Sequence, residues 1–205
     1  MQKWIMWIAV VAALGLAVDR FVITPHHVDA QASEDMDMAA AMKRWADAGE
    51  PGKQHELLAK RVGKWNVESS MWMSQNAPPM KVKGTSEIEA IMDGRYIVER
   101  TETTMMGKPW TSMAVTGYSN IRRVFFTTNF DSMSTGYTHA VGGLSRDGKA
   151  LTFVGEMDEP MTQETGKMFK AMMTFESDDK HKIDIYEILY GEPFRVVSME
   201  FTRQK

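Results

Sequence analysis

From Trp65 to the C-terminus, apolar side chains recur at every second position in short stretches, each closed by turn residues. In the last stretch Val197, Met199 and Phe201 point one way, with Arg203 on the same side, and Val196, Ser198, Glu200 and Thr202 point the other. An earlier stretch sets Phe169, Ala171, Met173 and Phe175 against Lys170, Thr174 and Glu176. A period of two means β-strands with one buried face and one wet face. About ten strands are predicted, near 64–73, 80–91, 95–105, 111–119, 122–131, 134–143, 150–157, 167–177, 182–190 and 194–203. Asp93-Gly94 and Asp147-Gly148 are hairpin dipeptides that tolerate positive φ. Asn76-Ala77-Pro78-Pro79 cannot continue a ladder, because proline lacks the donor. No long helices separate the strands, so a parallel α/β sheet is not expected. Consecutive hairpins predict an up-and-down meander, and closing it into a barrel removes its exposed edges.

Upstream the period changes. Met38, Met42 and Trp45 share one face of a short helix stopped by Gly49, Pro51 and Gly52. A second short helix is predicted over Gln54 to Val62, with Gly63 as its C-terminal stop. At the extreme N-terminus Lys3 precedes an apolar run from Trp4 to Val18, and Ala30-Gln31-Ala32 fits a cleavage site. Residues 1–32 are therefore expected to be a signal peptide, or an N-terminal anchor in which residues 4–23 span the membrane. Residues 33–52 read as a linker with one helix, and 53–205 as the β-barrel domain. Either form of leader places the body outside the inner membrane, in the periplasm or cell envelope. Membrane contact is then confined to the N-terminal segment, if that segment is retained.

Composition narrows the chemistry. Lys and Arg number 24 against 27 Asp and Glu, so there is no basic excess for a nucleic-acid backbone. The chain has no cysteine, which excludes disulfides, thiolate metal sites and cysteine nucleophiles. Methionine is the outlier, with 19 copies. Flexible thioethers fill irregular gaps and adapt to varied apolar ligands. Met71 and Met73 share one strand face and invite a Cu(I) reading. No dense methionine–histidine cluster accompanies them, so core filling is the preferred role.

Gly63-Lys64-Trp65 opens the first strand just after a short helix. This resembles the glycine-x-tryptophan signature of lipocalin-like (calycin) barrels. The resemblance implies that Trp65 plugs the closed end and that an arginine of the last strand, here Arg203, lies across its ring. A closer resemblance is carried by Pro51-Gly52-Lys53-Gln54-His55-Glu56-Leu57-Leu58, Val62-Gly63-Lys64-Trp65, Met71-Trp72-Met73 and Pro78-Pro79-Met80. Gly94-Arg95-Tyr96, Gly117-Tyr118 and Asp131-Ser132-Met133 extend it over roughly residues 50 to 203. These segments are similar to a bacterial family catalogued as domain of unknown function 1579. That family usually has an aspartate after the Gly-Tyr pair, where this chain has Ser119, and a tryptophan near the Asp-Ser pair, where it has Asn129-Phe130.

Candidate functional groups are few. His139 lies mid-strand and is either a wall residue, a general base or a ligand inside the barrel. His181 follows Asp179-Lys180 and is expected in a solvated turn. Asp131 followed by Ser132 at a strand end predicts an Asx-type turn. Arg100 and Glu102 share a face with Val98, which is lumen or exterior depending on a parity the sequence leaves open. The chain contains no H-E-x-x-H, G-x-S-x-G, Walker loop or G-x-G-x-x-G. No catalytic residue, metal or cofactor is implied.

The expectation is an all-β, ten-stranded, antiparallel up-and-down lipocalin-like barrel with a short N-terminal helical arm. Its expected role is to bind a small hydrophobic molecule inside the barrel or at its mouth. Candidate lining residues are Met71, Val98, Arg100, Tyr118, Phe126, His139, Phe153, Met173 and Met199, with Gly63, Trp65 and Arg203 as barrel closure. Two other readings stay open. One is an enzyme with a barrel-mouth site using His139 and Asp131; the other is a solid-cored envelope module docking through Met38, Met42 and Trp45.

Overall fold

The computed structural model describes residues 37–189 and 192–205, so the expected leader and its cleavage site lie outside the described residues. The chain divides into two units, Met1–Ala41 and Met42–Lys205, and the sheet lies in the second.

Two short helices come first. Helix α1 (Met38–Gly49) is capped by Asp37, whose Oδ1 accepts the Ala39 N–H at 3.0 Å. Met38, Met42 and Trp45 are all exposed. Helix α2 (Lys53–Ala59) begins after Pro51-Gly52, and His55 Nδ1 accepts the Gly52 N–H at 3.0 Å. It ends at Ala59 rather than Val62, because the chain tightens there: Arg61 N–H donates to Leu58 O and Val62 N–H to Ala59 O. Leu58 is buried in the main core and His55 packs edge-on to Tyr118.

Ten strands follow: β1 (Gly63–Met71), β2 (Met80–Ile91), β3 (Tyr96–Met105), β4 (Lys108–Ser119), β5 (Val124–Asp131), β6 (Thr138–Leu144), β7 (Ala150–Glu159), β8 (Glu164–Ser177), β9 (Lys180–Leu189) and β10 (Glu192–Arg203). Each pairs antiparallel with the next, and β1 closes on β10 to complete the barrel. The meander expected from the hairpin signals is therefore the observed topology. Strand β6 starts at Thr138, later than the alternation predicts. The Met133 N–H donates to Asp131 Oδ1 (2.8 Å) and the Gly136 N–H to Ser134 Oγ (3.2 Å), so local turns hold that stretch off the ladder.

Register fixes which side chains face inward. Trp65 and Val67 lie in the core, and their partners carry that face around the ring: Arg203 and Phe201 on β10, Ser86 on β2, Thr101 on β3, then Ser112 on β4 and Asp131 on β5. The same chain of pairs gives Tyr118, Phe125, Ala140, Phe153, Ala171, Ile185 and Val197 as inward positions. Glycine lets the wall curl at β6 and β7. A Cβ on Gly155 would run into the His139 carbonyl oxygen and Ala140.

The outer wall carries Lys64–Glu87, Lys83–Glu68 and Arg100–Glu89 pairs, a surface suited to water. Among the described residues, no helix is long and apolar enough to cross a membrane.

Candidate functional site

The closed end is a packed floor built around Trp65, which is 1% exposed. Its indole Nε1–H donates to Arg61 O at 2.8 Å, which ties β1 to the end of α2. The Arg203 guanidinium lies 4.2 Å from the ring centroid, a cation–π contact. Arg203 also donates to Val62 O and Lys60 O, each at 2.7 Å, and to Asp178 O. The arrangement that the calycin resemblance implies for these two residues is present. Gly63 stands at φ 135, beneath the Arg203 guanidinium, where a side chain would both strain the backbone and meet Nη1.

Above the indole sits a polar cluster that the sequence reading missed. Arg61, 3% exposed, donates through Nη2 to Glu99 Oε2 at 2.6 Å. Glu99 Oε1 accepts from Ser86 Oγ at 3.1 Å. Arg61 Nη2 is also 3.3 Å from His181 Nε2, and a guanidinium only donates, so that nitrogen accepts. Arg61 Nε is buried without a partner. His181 is not in a solvated turn. It stacks on Phe201 with centroids 4.4 Å apart and meets Trp65 edge-on at 4.5 Å. Strand β9 begins at Lys180, two residues before the predicted start, and carries the imidazole inward. Burial, reinforced by the charges of Arg61 and Arg203, drives its pKa down to about 2. It is therefore neutral at any physiological pH.

Toward the mouth the same inner wall opens. Side chains deep in the barrel, such as Ile97, Phe125, Leu151 and Phe201, are fully buried. Those nearer the mouth are half-buried, among them Met71, Val82, Ser112, Asn129, Met157, Ile185 and Met199. The barrel is thus a cup: solid at the base and reached by water at the top. Lys167 spans part of its wall, with Nζ 3.0 Å from Glu187 and 3.2 Å from Glu164. Those two carboxylates raise its pKa against the opposing effect of burial.

Five of the nine expected lining residues face inward. Met71 and Met199 stand in the open part. Phe153 and Met173 are buried in the core, and Tyr118 packs on Phe125 at 4.9 Å. Val98, Arg100, Phe126 and His139 face outward, and this corrects the sequence reading. Val98 pairs with Val115 and Glu89, which lie on the outer face. It is buried there, 3% exposed, so burial alone misreports its direction. Arg100 forms a surface pair with Glu89 at 2.9 Å. His139 is exposed and shares a 2.9 Å hydrogen bond with Thr128 Oγ1. Asp131 faces the cup, so His139 and Asp131 lie on opposite sides of the wall and cannot act on one substrate. Asp131 does make the expected Asx turn.

Two concavities lie outside the cup. One, about 450 Å³, lies between α2 and the β8–β9 hairpin and reaches the floor, lined by Leu57, Lys60, Phe175 and Asp178 together with Arg61, Trp65 and His181. The other, about 360 Å³, runs along the outer wall by Arg100, Glu102, Met113 and Phe130. Among the described residues, no three of the His, Asp and Glu side chains are grouped to hold a metal ion.

A family model described as "Protein of unknown function (DUF1579)" matches residues 50–203. The chain belongs to this family. The match spans the whole barrel and both sides of its floor. Among solved structures, the chain is similar to Rv2717c from M. tuberculosis at 13% identity. That comparison covers 76% of this chain and 100% of the other, with a TM-score of 0.54. At that identity the likeness concerns the fold alone. A redesigned β-barrel also matches, at 13% identity and a TM-score of 0.37, over 75% of this chain and 96% of its own. No curated protein matches.

Proposed function

We propose that this DUF1579 chain binds a small, largely apolar molecule in the cup of its barrel. The observation that carries the reading is the gradient of burial along one continuous inner wall. In a solid barrel, Val82, Ile185, Val197 and Met199 would be as buried as Phe201; instead they are half-buried on the inward face. Apolar surface left facing a concave, water-reached space is a favourable place for an apolar guest, at about 25 cal/mol for each Å² removed from water. The competing enzyme reading loses its His139–Asp131 pair to the geometry above. A wholly solid core is opposed by the same burial gradient.

The test is a titration with 1-aminoanthracene, whose fluorescence rises in apolar sites. Saturable binding is expected, and Ala114→Phe, which puts a ring into the cup from a half-buried inward position, should abolish it. Binding that survives this substitution would place the probe elsewhere and refute the reading.

The setting we propose is the periplasm or cell envelope, supported by Lys3, the Trp4–Val18 run and Ala30-Gln31-Ala32. Fractionation of cells expressing the full chain tests it, with N-terminal sequencing of the product. A cytoplasmic, full-length product would overturn it.

A further inference from the structure

The wall of the cup is not uniform, and its two sides differ in kind. On β3 to β6 the inward side chains toward the mouth include Thr101, Ser112, Asn129, Asp131 and Thr138, with Met105 and Trp110 as apolar exceptions. Facing them from β7 to β10 are Met157, Phe169, Ile185, Val197 and Met199, with the Lys167–Glu187 ion pair among them. One side of the wall therefore offers mainly hydroxyls, an amide and a carboxylate, and the other mainly hydrocarbon, thioether and an aromatic ring.

The polar side has unused capacity. Among the described residues, the side chains of Ser112, Asn129 and Thr138 form no hydrogen bond within the protein. Asn129 stands between Ala114 and Thr138 on the neighbouring strands, so a methyl group on one side leaves space beside its amide. That amide carries two donors and an acceptor, and the nearby hydroxyls supply both.

The charges on the wall are mostly spent. Lys167 is held by Glu187 and Glu164, and Arg61 at the base is held by Glu99. Lys108 has the inward parity but is exposed at the lip. Asp131 keeps one oxygen on the Met133 N–H and has no cation partner among the described residues. A carboxylate head group entering the cup would meet Asp131 and, among the described residues, no free cation below the lip. Its desolvation would go uncompensated.

We propose that the cup selects a neutral amphiphile bearing hydroxyl or carbonyl groups along one edge, with Asn129 as the residue that sets this preference. This rests on the cup being a binding site. The hydrocarbon side of such a ligand lies against Phe169, Ile185 and Met199, and its polar edge against Ser112, Asn129 and Thr138.

The experiment displaces bound 1-aminoanthracene with two ten-carbon competitors, decane-1,2-diol and decanoate, at pH 8. The diol is expected to bind at least tenfold more tightly than decanoate. Asn129→Leu removes the amide at a half-buried position with no internal partner, so the fold is retained. It should weaken the diol about fivefold relative to decanoate, the size of one or two neutral hydrogen bonds, once each displacement is normalised to the 1-aminoanthracene affinity of the same variant. Asn129→Ser, which keeps a donor and an acceptor, should retain most of the preference. Decanoate matching or beating the diol would overturn the inference, as would a diol-to-decanoate ratio unchanged by Asn129→Leu. In both cases the cup itself stands, because 1-aminoanthracene still binds. Failure of 1-aminoanthracene to bind the wild-type protein overturns the cup and this inference together.

Discussion

Lowering the pH from 7 to 5 should cost this protein stability through one side chain, His181. In the folded barrel its imidazole is 2% exposed, stacked on Phe201 and flanked by Arg61 and Arg203, and its pKa is about 2. In the unfolded chain it titrates near the ordinary 6.5. The folded pKa is thus depressed, and the unfolded state binds more protons at every pH between the two values. The contribution of this group is whole above about pH 6.5 and is lost as pH falls toward 2. Below 6.5 the slope approaches 1.4 kcal/mol per pH unit, so moving from pH 7 to 5 removes about 2 kcal/mol. The carboxylates drawn below their ordinary values, Glu68, Asp147 and Glu164, titrate lower still and leave this window clear.

The assay is urea unfolding followed by tryptophan fluorescence at both pH values, on wild type and His181→Phe. Phenylalanine keeps the stacking but cannot take a proton, and Arg61 keeps Glu99 as its partner. The wild type is expected to lose about 2 kcal/mol more than the variant between pH 7 and 5, whatever their difference at pH 7. Equal losses in the two proteins would refute the burial of a neutral imidazole in the floor.

Other substitutions test the remaining parts of the structure by denaturant unfolding. Arg203→Ala removes the guanidinium over Trp65 and the donors to Lys60 O and Val62 O, at an expected cost of about 2–3 kcal/mol. Arg203→Lys should recover less than half, because an ammonium cannot fork between two carbonyls. Glu99→Leu strands the buried Arg61 charge and should cost about 3–5 kcal/mol, whereas Glu99→Leu with Arg61→Met should cost far less. Gly155→Ala forces a methyl group against the β6 backbone and is expected to prevent folding or displace the β6–β7 pairing, read by circular dichroism. His139→Ala, at an exposed position on the outer wall, should change stability by less than about 0.5 kcal/mol and leave probe binding intact.

Alternation and turn chemistry made the strand order and most strand limits legible, because each is a local property of the chain. The face each strand turns inward was harder, since it depends on partners far away in sequence. In β3, Ile97 and Val98 are both apolar and both buried, so neither hydropathy nor burial separates them. Only the pairing of Ile97 with Ala90 and Thr116 places it inside. The same tie between Phe125 and Phe126 misdirected the reading of β5, and with it went Asn129. His181 was misread for another reason. The residues around it are those of a turn, and what buries it is packing against Phe201, Trp65 and Arg61, the last 120 positions away in the sequence. The signal that was available is Phe201 on β10, whose inward parity was clear and whose antiparallel partner is His181.

The signature shared with related barrels solves a problem at the floor and says little about a guest. The chain leaves α2 with carbonyls at Lys60, Arg61 and Val62 that no helical turn satisfies. Arg203 takes the first and third and the Trp65 indole takes the second, so the last strand and the first are both fastened to the end of one helix. Residues doing this must be kept for the barrel to close, whatever its contents. The upper wall has no such duty. The side chains of Asn129, Ser112 and Thr138 make no hydrogen bond among the described residues, and the methionines opposite them are the most adaptable of apolar side chains. Substitutions at the floor should therefore move stability and leave selectivity alone, while substitutions near the mouth should do the reverse. If the cup binds a guest as proposed, two members of this family with the same floor can differ in which guest they take, and the lining near the mouth is where that difference has to be read.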